Sequence, residues 1–304
     1  AIAHAAAEVR ELLISLAARR MSGQSGFRAE AGAVVAASGE RLSYRELVGD
    51  LDLASEAAPQ SPRVPKASRR IVGQPVPRID IPAKLTGAEA YIQDMRPAGM
   101  LHARVVRPPT QNARLASIDP GAVERMPGVV TVVRNGSFLA VLAETEWQAI
   151  RARDVLAAAA IWETASTLPA PGTIHDWLRT TASEVSTIAR TDGPPAEGSW
   201  IAATYRRSYQ MHGSIGPSCA LARFENGDLT VWSHTQGVFP DRDAIAELVG
   251  LQASHVRVIH VEGSGCYGHN GADDAAGDAA LLAMAVPGRT VRLQWMREDE
   301  HVFE

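Results

Sequence analysis

The chain has 304 residues, 46% hydrophobic and 21% charged, a composition that suits two or three packed units and excludes a disordered polymer. Thirty basic against 34 acidic residues give a formal net charge of -4, so no basic field exists for a phosphate backbone and nucleic acid is not expected as a partner. Cys219 and Cys266 are the only cysteines and lack CxxC spacing, which excludes a disulfide framework, a structural zinc site and a resident iron–sulfur cluster. The first predicted element is an amphipathic helix over residues 2–20, with Ile2, Ala5, Ala6, Val9, Leu12, Leu13, Leu16 and Ala17 on one face. Docking of that face on a core is the expected use, in preference to a membrane surface. Short strands are predicted at 33–37 and 41–42, and Ser43-Tyr-Arg-Glu46 is a capping box for a short helix through Leu51. A linker with three prolines follows at 55–70.

From Ile71 to about Trp162 the pattern is mixed. Strands are predicted at 101–107, 129–134 and 138–144, with helices at 120–126 and 146–160. Asp119-Pro120 and Thr145-Glu146 are the helix starts, and Pro127-Gly128 is a stop. A helix over 174–190 and a Gly/Pro break at 192–198 lead to a second set of strands at 201–209, 219–225, 229–234, 256–261 and 290–296. Helices near 241–248 and 273–285 alternate with these strands. No run approaches the roughly 18 uninterrupted apolar residues of a membrane helix, so a soluble chain is expected. The chain opens inside a helical pattern and closes on a strand-like segment without a terminating helix, which reads as a piece of something longer.

The richest stretch runs from Val256 to Val286: a β-branched segment, the loop Glu262-Gly-Ser-Gly-Cys-Tyr-Gly-His-Asn-Gly-Ala272, then an Ala/Leu-rich helix. Gly263, Gly265, Gly268 and Gly271 let the backbone approach a ligand and expose peptide N–H donors. The loop matches G-x-G-x-x-G literally, so a dinucleotide-binding dehydrogenase is one reading. Against it, Asp273 and Asp274 occupy the helix start where a pyrophosphate would sit, and are most simply N-caps. Cys266 has no paired His and Asp to make it a nucleophile. His234 and His269 could join it in a site, but a lone histidine more often satisfies a local hydrogen bond. No metal ligation by protein side chains is assigned. Tyr267 either stacks on a ligand or fills the loop, and Gln236 at a strand end either contacts a ligand or caps the next helix.

Gly-Ser-Gly-Cys-Tyr-Gly-His-Asn-Gly-Ala-Asp-Asp (263–274), preceded by Val-Trp-Ser-His-Thr-Gln (231–236), resembles the large molybdenum-binding subunit of the xanthine dehydrogenase and aldehyde oxidase family, nearest its nicotinate dehydrogenase and isoquinoline oxidoreductase branch. Val76–Gly87, Gly99–Pro109, Ser137–Ala143 and Glu146–Ala152 resemble the opening of that family's α/β hammerhead domain, and 1–52 the tail of a preceding molybdopterin-binding segment. The resemblance implies an α+β fold: a preceding-segment tail at 1–54, a linker at 55–70, a hammerhead domain at 71–165 and a connection at 166–198. The first part of a molybdopterin-binding domain, with mixed sheets and flanking helices, would follow at 199–304.

It also implies that Gln236 hydrogen-bonds a molybdenum oxygen ligand, while Gly265, Cys266, Tyr267, Gly268, His269 and Asn270 line the molybdenum–pterin cofactor, expected as the cytosine dinucleotide form. Tyr267, thirty-one residues after Gln236, takes the place of the family's usual loop aromatic, and Gly268 supplies the backbone amide. The family's commoner Gly-Gly-Gly-Phe-Gly-Gly is altered here. Tyr209-Gln-Met-His212 and Gly216-Pro217 follow another family pattern without its acidic residue, so no carboxylate role is carried over. The implied activity is hydroxylation beside a ring nitrogen, or aldehyde oxidation, with water as oxygen source and a glutamate base beyond Glu304. The implied partners are the remaining part of the molybdenum subunit, a separate subunit holding the iron–sulfur clusters, and a cytochrome c as electron acceptor. The alternative of another class is a cofactor-free paralogue or assembly piece of the same fold. Substrate identity and compartment, cytoplasmic or periplasmic, are not written in the residues.

Overall fold

The structure, a computed structural model, describes residues 2–49, 60–164, 168–190, 192–193, 198–199, 201–269 and 271–303. Two compact units are present, Ala1–Ile79 and Asp80–Glu304. In the first, α1 (Ile2–Arg20) precedes an antiparallel sheet of β1 (Arg28–Glu30), β2 (Ala33–Val35) and β3 (Arg41–Ser43), and then α2 (Tyr44–Val48). Leu13, Leu16, Ala17 and Met21 follow helical spacing and pack with Val34 and Leu47. Only this C-terminal half of the predicted apolar face is covered, since Ile2, Val9 and Leu12 are exposed. The capping box forms as expected: Glu46 N donates to Ser43 Oγ at 3.2 Å, and Ser43 N donates to Glu46 Oε2 at 2.8 Å. Strand β1 escaped prediction because three residues carry no alternation. It exists by pairing with β2 across a turn in which Ala31 and Gly32 both take positive φ.

The second unit contains α3 (Ile81–Leu85), β4 (Leu101–Val105), β5 (Arg114–Ser117), α4 (Gly121–Glu124), β6 (Val129–Asn135), β7 (Phe138–Ala143), α5 (Glu146–Ala159), β8 (Ile161–Glu163) and α6 (Ile174–Thr180). It continues with β9 (Cys219–Glu225), β10 (Asp228–Ser233), α7 (Val238–Val249), β11 (Val256–His260), α8 (Ala272–Ala285), β12 (Thr290–Gln294) and α9 (Arg297–Phe303). Seven strands form one mixed sheet in the order β11-β10-β9-β12-β4-β7-β6, parallel at β10/β11 and β12/β4 and antiparallel elsewhere. Strands drawn from 101–143 and from 219–294 thus share a sheet, joined where β12 pairs with β4. Helix α8 is small and apolar along most of its length. Ala275, Ala276, Ala279, Ala280 and Ala283 let it lie close on β9, β10 and β12, with α7 packed beside it. On the other face, α5 covers β7 and β4 through Ala152 and Leu156. Strand β7 is buried on both sides, as its unbroken Phe-Leu-Ala-Val-Leu-Ala run requires.

A buried ionic staple fixes the β12/β4 join. Arg104 on β4 and Arg292 on β12 both bind Glu146 at the start of α5, at 2.7 and 2.9 Å, and Arg292 also donates to the Gln93 carbonyl at 2.9 Å. The two guanidinium groups are 2% and 1% exposed, so Glu146 is the anion that makes their burial tolerable. Burial raises the Glu146 pKa, but Arg292 and Arg104 more than offset that and hold it below its usual value. His102, opposite Arg292 in the ladder, is held near pKa 4 by burial and by that arginine.

Several expectations fail here. Residues 201–209 form no strand: Ile201, Tyr205 and Tyr209 lie exposed in a segment without regular structure, because β-propensity counts only where a neighbouring strand and a covered face are available. The helix expected to reach Arg190 ends at Thr180, where the Thr180 and Thr181 hydroxyls turn back on the carbonyls of Asp176 and Trp177. Past β12 the chain does form a helix, α9, with Asp299 accepting from Met296 N at 3.0 Å. Asp273 and Asp274 sit in the first turn of α8 but do not cap it. Helix α2 ends at Val48, with Gly49 as its C-cap, short of the expected Leu51, and residues 50–59, including the start of the expected linker, lie outside the described residues. No described helix is long and apolar enough to cross a membrane.

Candidate functional site

Strands β10 and β11 are parallel neighbours, so both deliver their chains to the same end of the sheet, and each is followed by a loop and a helix. In open sheets this is the end where ligands bind. The ladder continues one residue beyond β11, with Val261 N donating to Ser233 O at 2.9 Å. Beyond β10 the chain turns sharply: Thr235 N donates to Ser233 Oγ at 3.1 Å and Gly237 N to Thr235 Oγ1 at 2.9 Å. His260 Nδ1 meets the Thr235 carbonyl at 3.1 Å and Ser233 Oγ donates to Ala272 O at 3.3 Å, so the two crossings are tied to each other. Gln236 is therefore presented to the glycine loop.

The contact is direct. Gln236 Nε2 lies 2.8 Å from Cys266 Sγ and donates to the Gly268 carbonyl, to which Cys266 Sγ also donates at 3.1 Å. The thiol, the amide and the peptide form one knot across thirty residues of sequence. Tyr267 holds φ 59° and is 61% exposed, so its ring stands clear of the core. Gly268 holds φ 141°, and a Cβ there would run into the His212 ring, which explains glycine at this position on both conformational and steric grounds. His269 is exposed and makes no hydrogen bond to a described residue, while Asn270 lies outside the described residues. Gly265 completes the loop beside the Tyr267 ring.

Beneath the loop, His234 is buried and accepts from Cys219 N through Nε2 at 3.3 Å. Burial, aided by His260, lowers its pKa to about 4, so it is a neutral spacer and not a base at neutral pH. A Cβ at Gly263 would come within 2.6 Å of His234 Nδ1, which packs the loop down on the ring. Cys219 is fully buried and its thiol is pushed up to about 12, leaving Cys266 as the accessible thiol. Three contributors had no signal in the sequence because they come from distant segments. Lys84 binds Glu262 at 2.6 Å and Asp80 at 2.8 Å, Ile92 N donates to the Glu262 carbonyl, and Gln93 Nε2 donates to Pro217 O at 3.1 Å. His212, part of a sequence pattern that gave it no place, forms a wall of the loop. Ser264 Oγ and Gln93 Oε1 are buried without a described partner.

Residues 195–303 match the molybdopterin cofactor-binding domain. The whole chain is 39% identical over 315 residues to a subunit of the nicotinate dehydrogenase of Pseudomonas putida, covering 99% of this chain and 26% of that protein. Residues 195–303 thus carry a molybdopterin cofactor-binding domain, and the chain along its length is similar to part of a nicotinate dehydrogenase subunit. A further relative at 26% identity, covering 99% of this chain and 41% of its own length, is a membrane-bound aldehyde dehydrogenase of Gluconacetobacter polyoxogenes whose name specifies pyrroloquinoline quinone. Quinoline 2-oxidoreductase from Pseudomonas putida 86 shares the fold, with a TM-score of 0.56 and 22% identity over 73% of this chain and 34% of that one. The chain thus spans between a quarter and under half the length of these proteins, and it shares its mixed helix-and-sheet fold with part of the quinoline 2-oxidoreductase chain.

The loop suits one end of such a cofactor and not the other. The Gln236 amide, the main-chain N–H groups around Gly265 and Gly268, and the unpartnered Ser264 hydroxyl are neutral polar groups, able to meet oxygen and sulfur acceptors without adding charge. The start of α8 carries Asp273 and Asp274, which oppose a phosphate there.

Proposed function

We propose that this chain provides one wall of the molybdenum site in an oxidoreductase that hydroxylates a nicotinate-like N-heteroaromatic, or oxidises an aldehyde, with water as the oxygen source. The bound molybdenum–pterin group, in the cytosine dinucleotide form, supplies the redox centre for transfer of oxygen to carbon. Gln236 orients an oxygen ligand of that centre by hydrogen bonding, Cys266 and Gly268 hold the amide in place, and Gly265, Tyr267, His269 and Asn270 complete the enclosure. His234, neutral, keeps the loop seated. The base lies outside this chain, electrons leave through a subunit that holds the iron–sulfur clusters toward a cytochrome c, and residues 71–165 act as the hammerhead domain. The observation that carries this reading is the contact of the Gln236 amide with Cys266 and Gly268.

The test is metal and cofactor analysis of the complex formed when the chain is produced with the rest of its molybdenum subunit and its electron-transfer partner. Molybdenum and pterin should copurify, and Gln236→Ala should lower turnover far more than pterin content. Pyrroloquinoline quinone in place of pterin, or no cofactor in an intact complex, would overturn the proposal. Collapse of the Gln236→Ala fold would reassign that residue to structure.

A further inference from the structure

Between α7 and α8 lies a cavity of about 490 Å³, outside the Gln236–loop contact. Its lining follows helical spacing on both sides: Asp241, Ile245 and Leu248 from α7 face Asp273, Gly277 and Leu281 from α8, so the pocket runs along the groove between the helices. Four carboxylates reach it, those of Asp241, Asp273, Asp274 and Asp278. One end is internally neutralised. There Arg107 binds Asp278 at 2.5 Å and lies 4.2 Å from the Trp295 ring, whose Nε1 donates to the same carboxylate at 3.2 Å. The other end has no such cation: among the described residues, the side chains of Asp241, Asp273 and Asp274 are in no salt bridge.

Asp241 is the independent pointer to a ligand. It is 6% exposed, it lines the cavity, and its Oδ2 finds no hydrogen-bond partner. A buried carboxylate oxygen without a partner costs stability unless something occupies the space it faces. Burial, reinforced by Asp273 and Asp274, raises its pKa to about 7, the mark of an anion lacking its counter-charge.

We propose that the α7/α8 cavity binds an organic monocation, an ammonium or guanidinium group on an aliphatic stem, with Asp241 as its buried counter-charge and Asp273 and Asp274 at the mouth. The apolar walls from Ile245, Leu248 and Leu281 suit a stem, and no group of three side chains among the described residues is arranged to hold a metal ion. Arg107 over Trp295 shows how the same groove already seats one guanidinium. An anionic group such as a cofactor phosphate is repelled here, so the proposal goes beyond the molybdenum reading and does not depend on it.

The experiment is calorimetric titration of the purified chain with n-butylammonium and n-butylguanidinium chloride, with n-butanol as the neutral analogue. Saturable binding of either cation without binding of n-butanol is expected. Asp241→Asn should weaken it about tenfold, the loss of one charge-assisted contact. Asp274→Asn, at an exposed position that does not endanger the fold, should weaken it in the same direction. Blocked tripeptides, acetyl-Gly-Lys-Gly-amide and acetyl-Gly-Arg-Gly-amide, separate the sources. Binding equal to that of the free cations assigns the site to a side chain of another polypeptide segment, and binding of the free cations alone assigns it to a small molecule. No saturation by either cation, equal binding of n-butanol, or unchanged affinity in both variants would overturn the proposal.

Discussion

Replacing Glu146 by alanine removes the single carboxylate that faces both Arg104 and Arg292. Breaking a fully buried pair costs about 3–5 kcal/mol because the remaining charge is left without its counter-charge. Here the two arginines are buried but the Glu146 side chain is 39% exposed, so water can reach the vacated site, and about half that figure, roughly 2 kcal/mol, is appropriate. Loss of a carboxylate from the first turn of α5 adds about 0.5 kcal/mol. For a unit of this size the combined loss corresponds to a fall in Tm of about 4–10 °C. All six tryptophans lie beyond residue 79, so tryptophan fluorescence during urea or thermal unfolding reports on the second unit alone. The sign with pH is also determined. The folded-state pKa of Glu146 is depressed, so its contribution is complete above the ordinary value of 4.5 and is lost as pH falls through the lower folded value. The gap between wild type and Glu146→Ala should therefore be constant near neutrality and close in acid. Glu146→Gln, which keeps an acceptor without the charge, should fall between them. A loss below about 0.5 kcal/mol at pH 7, within the ordinary range for a surface change, would refute the staple as the element that joins β4 to β12.

Gly268→Ala should leave the unit folded but displace the loop, since alanine neither tolerates φ 141° nor fits against His212. Because Cys219 is buried with its thiol pushed up to about 12, thiol alkylation reads Cys266; its rate should rise about threefold or more as the Gln236 contact opens, and an unchanged rate would count against the knot. Asp241→Asn should raise stability above pH 7, by about 2 kcal/mol in the absence of a bound cation, because a carboxylate whose folded pKa is raised from 3.8 to about 7 opposes folding once ionised. The advantage should shrink as pH falls from 7 toward 4, and a gain that does not vary over that range would show that desolvation is not its source.

The local vocabulary of the chain was largely readable. Ser43 with Glu46 and the Thr145-Glu146 start announce their helices because a cap is satisfied within a few residues, and the alternation of β10 survives because one face is covered, while β9, buried on both faces over Cys219 to Ala222, is marked by an apolar run. Elements made only by their neighbours were not readable: β1, β5 and β8 are short pairings, and α9 stands where a strand-like tail was expected. The 201–209 segment shows the converse, a strand composition that pairs with no strand among the described residues.

At the site, the glycine loop and Gln236 were recognisable as residue types, since backbone freedom and a neutral amide are chemical properties of single positions. Tertiary structure decided their meeting, through the parallel pairing of β10 with β11 that brings two loop ends to one edge. It likewise decided that His212, Lys84 and Gln93 enclose the loop, and that four aspartates from two helices share one cavity. A chain's short-range preferences are written residue by residue, but convergence depends on which strands become neighbours, and that is settled only when burial and hydrogen bonding are satisfied over the whole sheet at once.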